Sequence, residues 1–433
     1  MNTPAEITRL LGSKLMDISS ALDLVKSNDR IVSSMAAAEP QGFFSQIATK
    51  AKSLSHVELY CANPSKPYDV FTEESLDGHI HSSVLFLTPA VRAHQRHNTL
   101  HYVPQHLSQW VQNLKSRGPI DVFWGSCSLP DQRGFVSLGT GACYECEALR
   151  AAKLVILEIN PQVPMTYGAT TVSLQDVDFF IWNPAELPTL TRPILGKNDL
   201  KIAELVADLI PDEATLQLGI GSIPDALGEA LQTKKNLGIH TEMINDTMME
   251  LTEKGVITGS HKSLWPGKMV GAFAYGTKKL YDFLSGNPLV ELHPASVVND
   301  PYRIGRNHLM TSINTAIEID LTGQVVSESV GHHEVSGVGG ASDTHVGAQR
   351  APGGQGIIAM NSRSGEYSKI VFELNPGAKI SVSRNDVDTI VTEYGIARLR
   401  GRSVAERATA LISLAHPEFR DDLKSRAKKN GYI

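Results

Sequence analysis

The chain has 433 residues, 42% of them hydrophobic and 20% charged, with a formal net charge of -6. One hydrophobic core stops growing at roughly 250–300 residues, so two domains are expected. The mixed charge excludes a disordered chain. The acidic balance gives no footing for nucleic acid or anionic membrane as a partner, and no apolar run approaches the roughly 20 residues of a membrane-spanning helix.

Taken in chain order, the opening Met1-to-Glu6 stretch lacks the basic-then-apolar form of a secretory signal. Arg30–Ser34 reads as a short strand, residues 41–54 as a helix and His56–Tyr60 as a second strand. Six histidines follow: His79, His81, His94, His97, His101 and His106. No acid or cysteine set completes a metal site around them, so surface and packing roles are expected and no metal. Asp121–Trp124, Leu154–Ile159 and Val177–Ile181 are further strands, two of them almost wholly apolar, as in parallel sheets covered on both faces. Cys143-Tyr144-Glu145-Cys146 lies inside a predicted helix, 142–154, and lacks a second ligand pair, so buried structural thiols are expected. The other cysteines are Cys61 and Cys127. Four are too few to staple so long a chain, which points to free thiols in a reducing cytoplasm.

The proline-rich Asn183–Pro193 segment interrupts this alternation and predicts a domain boundary near residues 184–198. A helix over 199–209 and a strand over 214–218 lead into Gly219-Ile220-Gly221-Ser222-Ile223-Pro224-Asp225. This is a glycine turn opening a helix, where exposed backbone N–H groups can meet an anion. It starts like a dinucleotide fingerprint, but Pro224 stands where the third glycine belongs, and no Walker lysine follows. Pro224 instead suits a first helical turn. The next strand, Ile239–Met243, carries Glu242 at its end, and strand C-termini of open parallel sheets are where ligands sit. A helix over 247–254 follows, with Gly255 as its C-cap. Two glycine-rich stretches, Ser336–Asp343 and Ala351–Gly356, offer backbone that a ligand can approach without a Cβ clash. Glu393 is a second carboxylate at a strand end, and Ser403 with Glu406 forms a capping-box pattern for a helix over 404–415. Alternating strands and helices throughout indicate an α/β fold with a largely parallel sheet.

Several ordered motifs carry a resemblance over nearly the whole chain. They are Pro130–Gly139, Glu158–Thr166, Gln217–Asp225, His240-Thr241-Glu242-Met243, Ser312-Ile313-Asn314, Ile319–Val325, Gly339-Gly340 and Thr392-Glu393-Tyr394-Gly395. Together they resemble the acetyl-CoA hydrolase/transferase family of class I CoA-transferases, and within it the 4-hydroxybutyrate CoA-transferase branch. The resemblance implies two related open-sheet α/β domains of the NagB/RpiA-like type, residues 1–190 and 191–433, with the active site between them and the catalytic glutamate in the second. It implies transfer of CoA between a short-chain acyl-CoA, such as acetyl-, butyryl- or 4-hydroxybutyryl-CoA, and a carboxylate.

By the same resemblance, Glu242 is the nucleophile that forms a covalent glutamyl-CoA thioester, with ping-pong kinetics. Backbone N–H groups at Ile220 and Gly340 match oxyanion-hole positions. Asn299 and Glu393 match further active-site positions, for substrate orientation and polar support. Gly219 and Gly221 in the turn, Gly337, Gly339, and the Gly353-Gly354 loop are expected to line the substrate and CoA. No metal or redox cofactor is implied, since coenzyme A enters as substrate; a homodimer is. Two departures stand out: the residue after Gly339-Gly340 is Ala341 where many members carry glutamine, and Met35–Pro40 is poorer in glycine than the family's first-domain loop. An acyl-CoA hydrolase on the same scaffold differs only in admitting water to the glutamyl intermediate. A non-catalytic CoA-binding protein is the alternative from another class.

Overall fold

A computed structural model describes residues 4–95 and 98–433. The chain divides into two compact units. One runs through Leu190 and takes in Val270–Val297, while the other comprises Thr191–Met269 and Val298–Ile433. The first unit's long stretch ends at Leu190, inside the proline-rich segment at residues 183–193, and the second stretch of chain is interrupted. Long-range bonds explain the interruption. The Ala142 N–H donates to the Ala272 carbonyl at 3.1 Å, the Ala274 N–H to the Thr140 carbonyl at 2.9 Å, and the Tyr281 hydroxyl to the Pro188 carbonyl at 2.6 Å.

The first unit is built on an eight-stranded sheet, in the spatial order Leu15–Met16, Phe179–Trp182, Ala152–Ile159, Ile120–Cys127, Arg30–Ser33, Val57–Tyr60, Ile80–Val84 and Leu100–Tyr102. Every pairing in it is parallel. The central strands are buried almost end to end, the pattern expected when both faces are covered. Two helices are shorter than the sequence suggests. Only Gln41–Gln46 is α-helical before a 3₁₀ stretch over Ile47–Ser53, where Thr49 and Ser53 hydroxyls bond the carbonyls three residues back. The helix holding Cys146 spans Glu145–Ala151 and ends because Ala152 already pairs with Ile120. All four cysteines are buried and none forms a disulfide, and burial raises the Cys61, Cys127 and Cys146 thiols, Cys146 to about 12. His79 and His81 bond the Leu54 and Asn98 carbonyls through Nδ1, and His97 lies outside the described residues.

The second unit contains strands β1 (Thr215–Leu218), β2 (Gly238–Ile244), β3 (Thr311–Asn314), β4 (Gln355–Ala359), β5 (Thr389–Thr392) and β6 (Gly395–Arg398). Its principal helices are α1 (Lys197–Leu209), α2 (Ser222–Ala230), α3 (Asp246–Glu253), α4 (Ala341–Arg350) and α5 (Val404–Leu414). Within the unit, β1 pairs in parallel with β2 on one side and β3 on the other; β4 and β5 continue in parallel, and β6 returns antiparallel. Strand order therefore reverses at β1, and in such sheets ligands bind beyond the strand C-termini at that reversal. Local capping follows the sequence. The Asn245 side chain accepts the Met248 N–H, and Ser403 and Glu406 close a capping box. Among the described residues no helix is long and apolar enough to cross a membrane.

Candidate active site

The turn after β1 takes its shape from glycine. The Gly219 N–H donates to the Ile313 carbonyl at 2.9 Å, the last sheet bond of β1 on that side. Gly221 has φ +120°, a conformation that a side chain would strain, and it caps α2. Pro224 sits in the first turn of α2, where its missing N–H leaves nothing unsatisfied. The Ile220 side chain is 60% exposed, and its N–H makes no hydrogen bond among the described residues.

Register then places Glu242 beside this turn. Thr215 pairs with Gly238 and Leu216 with Ile239. The same offset carried forward sets Gly219 beside Glu242. Alternation along β2 puts His240 and Glu242 on one face. Glu242 is half-buried in a strand whose other residues are buried.

Two N–H donors reach its carboxylate. Asn299 Nδ2 donates to Glu242 Oε2 at 2.8 Å, and the Gly340 backbone N–H lies close enough to the same carboxylate to favour its charged form. Gly340 caps the N-terminus of α4, whose dipole favours a negative charge there. A Cβ on Gly340 would fall on Asn299 Nδ2 and Glu242 Oε2 together, so this position needs glycine. Burial pushes the Glu242 carboxyl up to about 7, with Asp343 reinforcing the rise and the two donors opposing it. Near neutral pH the side chain therefore exchanges between acid and carboxylate.

A buried polar network fixes α4 over the sheet. Ser312 Oγ donates to Gln217 Oε1 at 2.6 Å and lies 3.1 Å from Thr344 Oγ1, while Asn314 Nδ2 donates to Ser312 Oγ at 3.0 Å. Gln217 belongs to β1, Ser312 and Asn314 to β3, and Thr344 to the first turn of α4. The network thus sets where the Gly340 N–H points. Such networks rigidify when every member is satisfied. Ser312 and Asn314 stood in a recognisable motif, but only this geometry shows what they do.

The other expected residues distribute unevenly. Gly337 and Gly339 are buried in the loop leading to α4, Gly339 at φ +53°. Gly353 and Gly354 are not brought to Glu242. They follow the C-terminus of α4, a ten-residue helix about 15 Å long, and enter β4 at the opposite edge of the sheet. Their glycine character has a packing cause: a Cβ on Gly353 would lie 2.7 Å from Leu309 Cδ2, and one on Gly354 would meet the Ala348 and Met310 carbonyls. Glu393 follows β5, four strands from β2, or roughly 19 Å along the sheet. It is 4% exposed, accepts the Ser362 N–H at 2.9 Å and hydroxyl at 2.7 Å, and lies 3.5 Å from Asn198 Nδ2.

Comparison with known proteins places the chain in a family. Residues 9–190 match the acetyl-CoA hydrolase/transferase N-terminal domain and residues 276–427 the C-terminal domain. The glycine turn and Glu242 lie between the two matched stretches. The chain is 40% identical to 4-hydroxybutyrate coenzyme A transferase of Clostridium kluyveri, over 96% of this chain and 97% of that one. It is 37% identical to succinyl-CoA:cyclohexane-1-carboxylate CoA transferase of Geobacter metallireducens, over 95% and 94%. Its fold is similar to the crystal structure of RipA from Yersinia pestis, with a TM-score of 0.94 and 32% identity over 99% of this chain and 100% of that one. With both domains matched and such likeness running end to end, the chain belongs to the acetyl-CoA hydrolase/transferase family.

Proposed function

We propose that the protein is a CoA-transferase that moves CoA between a short-chain acyl-CoA and a free carboxylate, with Glu242 as nucleophile. The observation that carries this reading is the Glu242 carboxylate itself. It stands at a strand C-terminus beside the β1 turn, held by the Asn299 amide and the Gly340 N–H.

In this reading a Glu242 oxygen attacks the thioester carbonyl. The tetrahedral oxyanion collapses by expelling CoA thiolate, leaving a mixed acyl–glutamyl anhydride. The thiolate attacks the glutamyl carbonyl and releases the acyl group as a carboxylate, so Glu242 becomes a CoA thioester. An acceptor carboxylate then runs the same steps in reverse. Both oxyanions need preset N–H donors, each worth about 3–4 kcal/mol. The Gly340 N–H lies against the Glu242 carboxylate, and the Ile220 N–H, without a partner among the described residues, lies in the turn beside it. Acetate, butyrate and 4-hydroxybutyrate are the acids to screen.

The test is the intact mass of the protein after incubation with acetyl-CoA and no acceptor. A gain of CoA less water, mapped to Glu242 and absent in Glu242→Ala, is expected. Consumption of acetyl-CoA with free CoA released and no adduct would make the protein a hydrolase instead. No adduct and no turnover with any of these acyl-CoAs would remove Glu242 from the chemistry.

A further inference from the structure

His240 lies on the same face of β2 as Glu242, two residues earlier, and is 1% exposed. The Trp265 ring packs against it, with centroids 5.9 Å apart. Enclosed in this way, the imidazole is poorly placed to exchange protons with a substrate. Its Nε2 instead stands 2.9 Å from the Val298 carbonyl. A carbonyl only accepts, so Nε2 carries the hydrogen.

Val298 is where the chain returns to the second unit, and the next residue is Asn299. Two side chains of one strand thus meet two consecutive residues of one segment: His240 holds the Val298 main chain, and Glu242 receives the Asn299 side chain at 2.8 Å. The Asn299 amide has little else to orient it. Asn299 is fully buried, and its Oδ1 has no hydrogen-bond partner. The reversed amide would turn that oxygen toward the carboxylate. The reach and angle of Nδ2 therefore depend on where the backbone at residues 298–300 is held. The next ties lie one residue on, where the Asp300 carboxylate accepts the Tyr302 N–H at 3.1 Å and its carbonyl accepts the Ile304 N–H at 2.9 Å.

We propose that His240 is a positioning residue for CoA transfer: by holding the Val298 carbonyl it keeps the Asn299 amide on the Glu242 carboxylate. This rests on reading Glu242 as the nucleophile. His240 touches no reacting atom and acts through Asn299. Loosening it leaves acyl-CoA binding in place while impairing the attack. It also weakens one of the two donors that oppose the upward pull of burial and of Asp343 on Glu242.

The experiment compares wild type, His240→Gln and His240→Asn. The glutamine amide reaches the position of Nε2 and can still donate to Val298, whereas the asparagine amide falls short. For each protein the rate of adduct formation from acetyl-CoA, kcat, KM and the pH profile of kcat/KM are measured. H240N is expected to lose roughly ten- to a hundredfold in kcat with KM nearly unchanged, and its acid limb to move to higher pH. H240Q is expected to stay within about threefold of wild type with the limb in place. In an Asn299→Ala background, H240N should add no further loss.

If H240N does not fold, His240→Met supplies a similar volume without a donor. Wild-type kcat and acid limb in the variant without the donor would overturn the proposal. So would equal losses in H240Q and H240N, or additive losses with N299A. A wild-type protein that forms no adduct would instead defeat the reading of Glu242, a separate and earlier failure.

Discussion

Gly340→Ala is the sharpest perturbation the site offers. The added methyl has no free direction, because it would land on the Asn299 amide nitrogen and a Glu242 oxygen at once. Either these side chains retreat or the N-terminus of α4 lifts. The α4 end is pinned through Thr344 to Ser312, so the carboxylate and amide must yield, by a distance on the order of 1 Å. A misplacement of that size in a reacting group lowers rates about 10²-fold, and losing one oxyanion donor lowers kcat by about 10²–10³-fold. The two effects share one cause and do not multiply, so kcat should fall roughly 10²–10³-fold, or about 3–4 kcal/mol. Overpacking should also destabilise the fold by about 1–3 kcal/mol. Steady-state transfer from acetyl-CoA to butyrate, with thermal unfolding of the same samples, reads both. A G340A enzyme with near-wild-type kcat would mean that the Gly340 N–H and the Glu242–Asn299 pair do not act as described.

Two further predictions separate packing glycines from reacting groups. Gly353→Ala and Gly354→Ala should lower stability by about 1–3 kcal/mol through their clashes with Leu309 and the Met310 carbonyl, with KM for CoA substrates unmoved. A raised KM at full stability would return these glycines to the CoA path. Glu242 sets a pH signature. Its folded pKa, about 7, lies above its ordinary 4.5, so the stability it contributes is present below 4.5 and is lost as pH rises toward 7. Glu242→Gln should therefore stabilise the protein more at pH 8 than at low pH, by at most about 3 kcal/mol and less as far as solvent reaches the carboxylate. The acid limb of kcat/KM in the wild type should lie near pH 7. A limb near 4.5, with no pH-dependent gain in Glu242→Gln, would refute that environment.

What could be read from the chain alone followed locality. The turn at Gly219–Asp225 and the cap at Ser403 are set by neighbours a few residues away, and both appear in the structure. The same holds for the strand that ends beyond Glu242. The need for glycine at Gly340 is different. It comes from a helix brought against a strand nearly a hundred residues earlier, which no local pattern encodes. Gly337–Gly340 and Gly353-Gly354 look alike as sequence, yet they lie beyond opposite ends of one helix, the first leading to its N-cap and the second following its C-cap Ala351. Glu242 and Glu393 both follow strands, but only strand order shows that they stand four strands apart. The return of Val270–Val297 to the first unit was also illegible, because the bonds that recapture it run to Thr140, Ala142 and Pro188.

The four cysteines have a practical consequence. All are buried, and burial suppresses the thiolate form that reacts with alkylating reagents. To such reagents the native chain is close to thiol-free. A single cysteine introduced on the surface of each unit can therefore carry a fluorophore or spin label with no prior removal of native residues. The separation between labels could then be followed while acyl-CoA is bound, exchanged and released.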